Sequence, residues 1–447
     1  MLRLNKQRLA YFLFASYILL AFTGKWLVSL PVMLVAFAAA EVSFFFGDDE
    51  YCICFALFLV PNIRMMDVGG IQVLTNLMLL TPVATRFIRV RKINFTALAH
   101  TTLLLGIDLI HIMYNRNFED LIPNASSILV LYFVESTLLD KNTIIRLSHA
   151  ARALALGAIF SAVFYFIIYT KYIDMSRYFR GYRYTAFASD PNYYSLYICL
   201  SIAMILILKK HLIYDYIIIF SLIAIELFTA SKMAILLILL MLIYFSAKMI
   251  YSGFSRKTKF FRRLIIIGAV LVAVFSQFVV TMIDKLMTRV FARGTNMTLD
   301  KLTTRRSTLQ VMYMNKLIVN PILLLFGYGV HYNKFFESNI SHNTYLDIVL
   351  SWGLIGLAVF ISIFFTTIRG LVAISSERLN TDHFLPLIVL VISFFSLSCV
   401  SASMFWWIIC AALLSLRGIE EPQLTERVLR GRAPMVRLRF RFHRASH

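Results

Sequence analysis

Apolar stretches long enough to cross a hydrocarbon core of about 30 Å recur from one end of this 447-residue chain to the other. No other feature constrains the fold as strongly. In lipid, every backbone polar group must find a partner within the protein, so only helices and closed barrels can span. Barrel strands read as short segments of alternating polarity, and no such alternation is present. Composition agrees: 60% of residues are hydrophobic and 15% charged, against about half and about a quarter in soluble domains. The chain is expected to be an all-α polytopic membrane protein. Its first apolar run, from Leu9, lacks a clear small-residue cleavage site and reads as a retained helix, not a removed signal peptide.

Polar breaks divide the apolar sequence into about fourteen predicted spans. They lie near 9–24, 26–46, 51–66, 71–88, 94–114, 125–140, 152–170, 192–208, 212–229, 232–251, 263–283, 344–368, 384–400 and 402–416. The chain then reads as an N-terminal bundle over 1–170 and further helices with a basic loop over 171–283. A long polar loop follows over 284–343, then C-terminal helices over 344–416 and a basic tail over 417–447.

Formal net charge is +21. In a soluble protein that would point to nucleic acid; here cytoplasmic loops and tails account for it, and no nucleic-acid partner is expected. Arg86, Arg89, Arg91 and Lys92, then Lys141, Arg146 and Arg152, then Lys209 and Lys210 fall in alternate loops. The basic-loop side is read as cytoplasmic, with both termini on it. The acidic "GDDEY" at 47–51 lies on the same side and fits poorly. Two further basic segments, roughly 171–191 and 284–343, face the other way. An outward basic cluster suggests an anionic ligand such as phosphate, carboxylate or a lipid headgroup, or else a loop resting on membrane lipids. The five cysteines sit in apolar runs, so neither disulfides nor a zinc site are indicated. No nucleotide-binding, hydrolase or metal motif is present, and no cofactor is expected.

Four stretches carry polar groups suited to chemistry. "SHNTYLDIVLSWGLIG" presents His342 at the outer lip of a span. A neutral imidazole there suits removal of a proton from a hydroxyl; an interfacial histidine beside a capping Asn343 or Thr344 explains the same spacing. Asn343 and Asp347 share a helix face, and Gly353 and Gly356 would let another helix approach closely. In "YRYTAFASDPN", Asp190, Pro191 and Asn192 signal a helix start whose positive end faces outward. Arg183 just before it carries a fork suited to phosphate oxygens. Arg305 and Arg306 open an apolar, surface-lying helix that stops at Asn320–Pro321, with Gly327 and Gly329 marking a turn. "LFTASKMAIL" places Glu226 and Lys232 close enough to pair at membrane depth. Asp108 with His111, Glu41 and Glu135 are further intramembrane candidates. No internal repeat stands out, which counts mildly against many secondary transporters.

Taken in order, these four stretches resemble the O-antigen polymerase and ligase superfamily of bacterial inner-membrane glycosyltransferases. The likeness covers roughly residues 180 to 365, and the His-Asn, leucine and two spaced glycines of 342–356 are its most specific part. Lys232 stands where many members have Arg, and Gln310 where an aromatic is common. The resemblance implies a GT-C-like fold acting on the periplasmic face. It implies a glycan donor on undecaprenyl pyrophosphate and a lipid-linked glycan acceptor, with no metal. His342 would position or deprotonate the acceptor hydroxyl, and Arg183 and Arg306, with Arg305, would hold the pyrophosphate. A polymerase is favoured over a ligase acting on lipid A-core or an exopolysaccharide or capsule polymerase. A chain-length regulator and a flippase are its expected partners. A lipid-linked oligosaccharide flippase is the reading from another class.

Overall fold

The computed structural model describes residues 2–417 apart from 68–72, 91–92, 116–120, 170–182, 189, 253–255, most of 275–305, 331, 333–339, 376–380, 399 and 401–403. Arg305, much of both outward loops and all but the first residue of the basic tail therefore lie outside the described residues. Among those described, the secondary structure is entirely helical. Each of the fourteen apolar runs overlaps a helix. In chain order these are α1 (Leu2–Leu27), α2 (Leu30–Phe46), α3 (Asp49–Leu59), α4 (Val73–Arg89), α5 (Phe95–Asn115), α6 (Leu121–Leu139), α7 (Leu147–Tyr169), α8 (Pro191–Leu206), α9 (Ile213–Thr229), α10 (Lys232–Ser252) and α11 (Arg256–Val274). After them come α12 (Arg306–Val319), α13 (Pro321–Phe326), α14 (Thr344–Ile374), α15 (Leu385–Phe394) and α16 (Phe405–Leu414). Among the described residues, five helices, α1, α5, α6, α7 and α14, are long and apolar enough to cross a membrane.

A helix that is hydrophobic all round must be buried on all sides or face lipid. In α8 the residues from Tyr194 to Leu206 are buried. Helix α8 packs against α7, α9, α10 and α15. All ten residues of α16 are buried, against α6, α8 and α15. These two helices and α6 form the centre of the bundle, and α1, α2, α4 and α5 surround it. The last two apolar runs give helices of ten residues each, about 15 Å at 1.5 Å per residue. That is half the length of a span. After α15 the chain leaves helical geometry at Phe395–Ser398, where the hydroxyls of Ser393 and Ser396 bond to backbone carbonyls one turn back.

The acidic loop that fitted the charge pattern poorly is explained by its partners. Asp49 pairs with Arg86 at 2.5 Å, Arg86 also reaches Asp140 at 3.2 Å, and Glu50 meets Arg146 at 2.8 Å. Arg417, fully buried, donates to the carbonyls of Thr137 and Asp140. The basic loops thus meet on one face of the bundle, and the acids sit among them as counter-charges. Glu226 also departs from expectation. Its partner is not Lys232: Oε1 accepts from Ser195 Oγ at 2.9 Å and Thr229 Oγ1 at 2.6 Å. Ala230, at φ 50°, turns the chain sharply after α9. Lys232 becomes the first residue of α10, and Glu226 stays packed between α8 and α9.

The longest helix, α14, is broken. Gly353 holds φ 68° and ψ −169°, a region open essentially to glycine alone. The break frees two carbonyls within an apolar helix, and an unpartnered carbonyl is costly in lipid. The turn after α13 supplies the donors: Tyr328 N–H reaches Leu350 O at 2.6 Å and Gly329 N–H reaches Ser351 O at 3.0 Å. The two chains approach through glycine on both sides. A Cβ on Gly353 would lie 2.1 Å from Leu325 O, and one on Gly327 would lie 2.6 Å from Ser351 O. Gly353 thus admits a neighbouring element, as expected. Gly356 does not: a Cβ there would strike Trp352 Cβ of the same helix at 2.1 Å. Its role is to let the Trp352 side chain fold back along α14.

Candidate active site

The N-terminal lip of α14 is built from its cap upward. Asn343 is the N-cap, and its Oδ1 accepts from Tyr345 N at 3.0 Å and Leu346 N at 3.2 Å. One residue earlier, His342 holds φ 53°, an uncommon conformation for a residue with a side chain. Its neighbours fix it there. Ser341 N–H donates to Tyr332 Oη at 2.9 Å, and Ser341 O accepts from Gln310 Nε2 at 3.3 Å. Ser341 Oγ donates to Asp347 Oδ1 at 2.7 Å, and Tyr332 Oη donates to the same oxygen. Asp347, buried one turn into α14, anchors the chain on which the half-buried His342 sits. Tyr313 and Leu317 of α12 pack with Tyr332, Leu346 and Leu350 in a small separate core. That contact fastens α12, and Arg306 at its start, to the outer half of α14.

Arg306 Nη1 donates to Ser396 O at 2.8 Å, a carbonyl exposed by the break between α15 and α16. Thr344 Oγ1 reaches Leu397 O at 2.7 Å, and Tyr193 Oη donates to Ser398 O. The same serine-rich break therefore meets α8, α12 and α14. Across from it, Asp190 caps α8, accepting from Asn192 N at 2.7 Å and Tyr193 N at 3.3 Å. The positive end of α8 is thus neutralised by the chain's own carboxylate, not left open for a ligand anion as the sequence suggested. Arg183 Nη2 donates to Asn192 Oδ1 at 2.6 Å and its Nε to Thr229 O at 2.9 Å. Arg183 is pinned to the start of α8 and the end of α9.

The charges act on each other. Burial and the Arg306 guanidinium lower the pKa of His342, with Asp190 opposing them. Burial also lowers the pKa of Arg306, and Asp190 again opposes it. The structure thus brings His342, Arg306 and Asp190 into one electrostatic group, and Asn192 carries Arg183 alongside it. Asn343 and Gly353 shape the element that presents His342. Lys232 begins α10, and Gly356 lies inside α14; neither belongs to the charged group. Sequence reasoning missed Ser341, Tyr332 and the carbonyls at 396–398. The run "SFFSLSCVSAS" at 393–403 was the available signal, five serines in what otherwise reads as a span.

A neutral imidazole beside the Arg306 guanidinium can accept a proton while the cation holds an anion. A base whose pKa lies below the ordinary value near 6.5 stays neutral to lower pH. Activity that needs it is expected to fall only on the acid side of that value. Removing Arg306 takes away a cation that disfavours protonation, so the acid limb in Arg306→Ala should move to higher pH. A pH–rate profile of the residual activity checks this, and an unmoved limb would dissociate Arg306 from His342.

No protein-family model matches the chain, and no curated protein matches it either.

Proposed function

We propose that this protein is a membrane glycosyltransferase of the O-antigen polymerase type. The observation that carries the reading is that the starts of α8, α12 and α14, which hold Asp190, Arg306 and His342, all bond to one short segment, Ser396–Ser398, at the lip of α14. A lipid-linked donor presents its reacting carbon at that depth. The donor is a glycan on undecaprenyl pyrophosphate, and the acceptor is a hydroxyl on the next lipid-linked repeat. His342 removes the acceptor proton as the oxygen attacks the anomeric carbon. The bond from that carbon to the pyrophosphate oxygen breaks, and the lipid pyrophosphate leaves with the electron pair. Arg306 and Arg183, with Arg305, hold the departing anion. Cleavage of the activated bond between the sugar and the pyrophosphate leaving group supplies the driving force, so neither nucleotide nor metal takes part.

In this reading the fourteen apolar runs are spans of a GT-C-like bundle in the bacterial inner membrane. The basic face is cytoplasmic and the His342 lip periplasmic. A chain-length regulator and a flippase are the expected partners. The arrangement of the intramembrane acids Glu135, Asp108 and Glu41 favours an enzyme over a flippase, because each meets a neighbour of its own. Glu135 meets His100 at 3.0 Å, Asp108 meets Asn124 at 3.4 Å, and Glu41 meets Thr81.

A silver-stained lipopolysaccharide gel of the host lacking this gene tests the assignment. Core carrying a single repeat marks a polymerase. Core without repeats, with polymer left on the carrier lipid, marks a ligase for lipid A-core. An unchanged ladder removes lipopolysaccharide from the reading and turns attention to exopolysaccharide or capsule. Arg183→Ala and Arg306→Ala should each weaken donor use at unchanged protein level. The lysine variants should rescue poorly, since an ammonium lacks the guanidinium fork. Full rescue by lysine, read as donor KM in membranes, would mean that charge alone suffices.

A further inference from the structure

A second site lies on the opposite, basic-loop face. A cavity of about 690 Å³ runs between α1, α3 and α7. Its lining is sharply divided. Asp48, Glu50, His149 and Arg152 lie at the loop end, and the interior is lined by residues such as Phe14, Phe55, Leu156, Ile159 and Phe160. Both long walls, α1 and α7, are helices able to cross a membrane; in a bilayer the groove would open sideways to lipid. The wall residues Leu156 and Val163 are 49% and 46% exposed, facing that opening. From His149 to Phe164 the groove follows α7 for about 22 Å, and from Gln7 to Ile18 it follows α1 for about 16 Å. The 16 Å stretch is about half of a 30 Å hydrocarbon core, and the 22 Å stretch is about half of the 40–45 Å that includes the headgroup regions, so the groove spans about one leaflet.

The mouth carries both signs of charge. Glu50 binds Arg146 and lies 3.2 Å from His149 Nδ1. Arg152 meets Asp215 through two hydrogen bonds of 2.9 and 3.0 Å and lies over the Tyr214 ring. Asp48 accepts from Tyr51 N and Gln7 Nε2. A purely anionic headgroup would meet two carboxylates, Asp48 and Glu50, and a purely cationic one would meet Arg152. A headgroup with one charge of each sign fits, its phosphate toward Arg152 and the first turn of α7 and its amine toward Asp48.

We propose that this groove binds a zwitterionic aminophospholipid from the leaflet on the basic-loop side, with one acyl chain between α1 and α7. The proposal is independent of the glycosyltransferase reading. Native mass spectrometry of the full chain in detergent, titrated with dioleoyl phosphatidylethanolamine or dioleoyl phosphatidylglycerol, tests it. One phosphatidylethanolamine should be retained at about tenfold lower lipid concentration than phosphatidylglycerol, a difference near 1.4 kcal/mol. Leu156→Trp, which fills the groove from its lipid-facing edge, should remove that difference. Ala153→Phe fills it from the α7 side and serves if the first variant does not fold. Equal retention of the two lipids would overturn the headgroup assignment and the proposal with it. Unchanged retention in the filled variants would mean a lipid bound elsewhere on the surface and would overturn the site.

Discussion

His342→Ala is expected to lower turnover by a hundredfold or more, within the range of about 10² to 10⁴ that a positioned general base contributes, while protein level and thermal stability stay near wild type. The side chain is half-buried at the lip and is held by its neighbours' backbone; the contacts that fix the segment belong to Ser341, Asn343, Tyr332 and Asp347. Alanine keeps those contacts, although it also meets the left-handed backbone at φ 53°. His342→Asn tolerates that conformation better and separates lost chemistry from local strain. Turnover measured in membranes with a lipid-linked donor decides the point. Retained turnover in both variants would remove His342 from the reaction. Loss in alanine alone would make backbone geometry the cause.

Gly353→Ala should destabilise the fold severely. Two costs combine. The backbone conformation costs a residue with a side chain about 1–3 kcal/mol. The new Cβ would also lie 2.1 Å from Leu325 O and 2.3 Å from its carbonyl carbon, so α13 must move, and overpacking adds about 1–3 kcal/mol more. Together these reach several kcal/mol, enough to unfold a marginal protein. Gly106→Ala is the control, because no atom lies within 4 Å of a Cβ built there. That change should be neutral or slightly stabilising, as alanine is favoured over glycine within helices. The fraction of monodisperse protein surviving a heating series measures both. Equal survival of the two variants would contradict the close packing at Gly353.

The all-helical character was readable because hydropathy and backbone satisfaction in lipid leave few alternatives. The Asn343 cap was readable too, since capping is a local matter of one side chain and the next turn. The break between α15 and α16 was not, because serine within an apolar run is also compatible with a continuous span. Gly353 announced close packing, but its conformation depends on carbonyls meeting the Tyr328 turn, a contact between segments more than twenty residues apart. Glu226 shows the same limit: proximity to Lys232 in sequence was plain, whereas the Ser195 hydroxyl that takes its place comes from another helix. For the charged group, the residue types were legible from the loops. Which arginine neighbours the histidine was not, since Arg306 and His342 meet through the packing of α12 on α14.

The crossing of Gly327 and Gly353 also constrains descent. In most packed pairs, a residue that grows is accommodated by a partner that shrinks, and lineages drift through such exchanges. Here both members already lack a side chain, Gly327 lies against the backbone of Ser351 and Gly353, and Gly353 against that of Leu325 and Phe326. No reciprocal change is open to either. In any lineage that keeps this crossing, the two positions are expected to remain glycine together, and a sequence that loses one should have rebuilt the whole turn from Asn320 to Gly329.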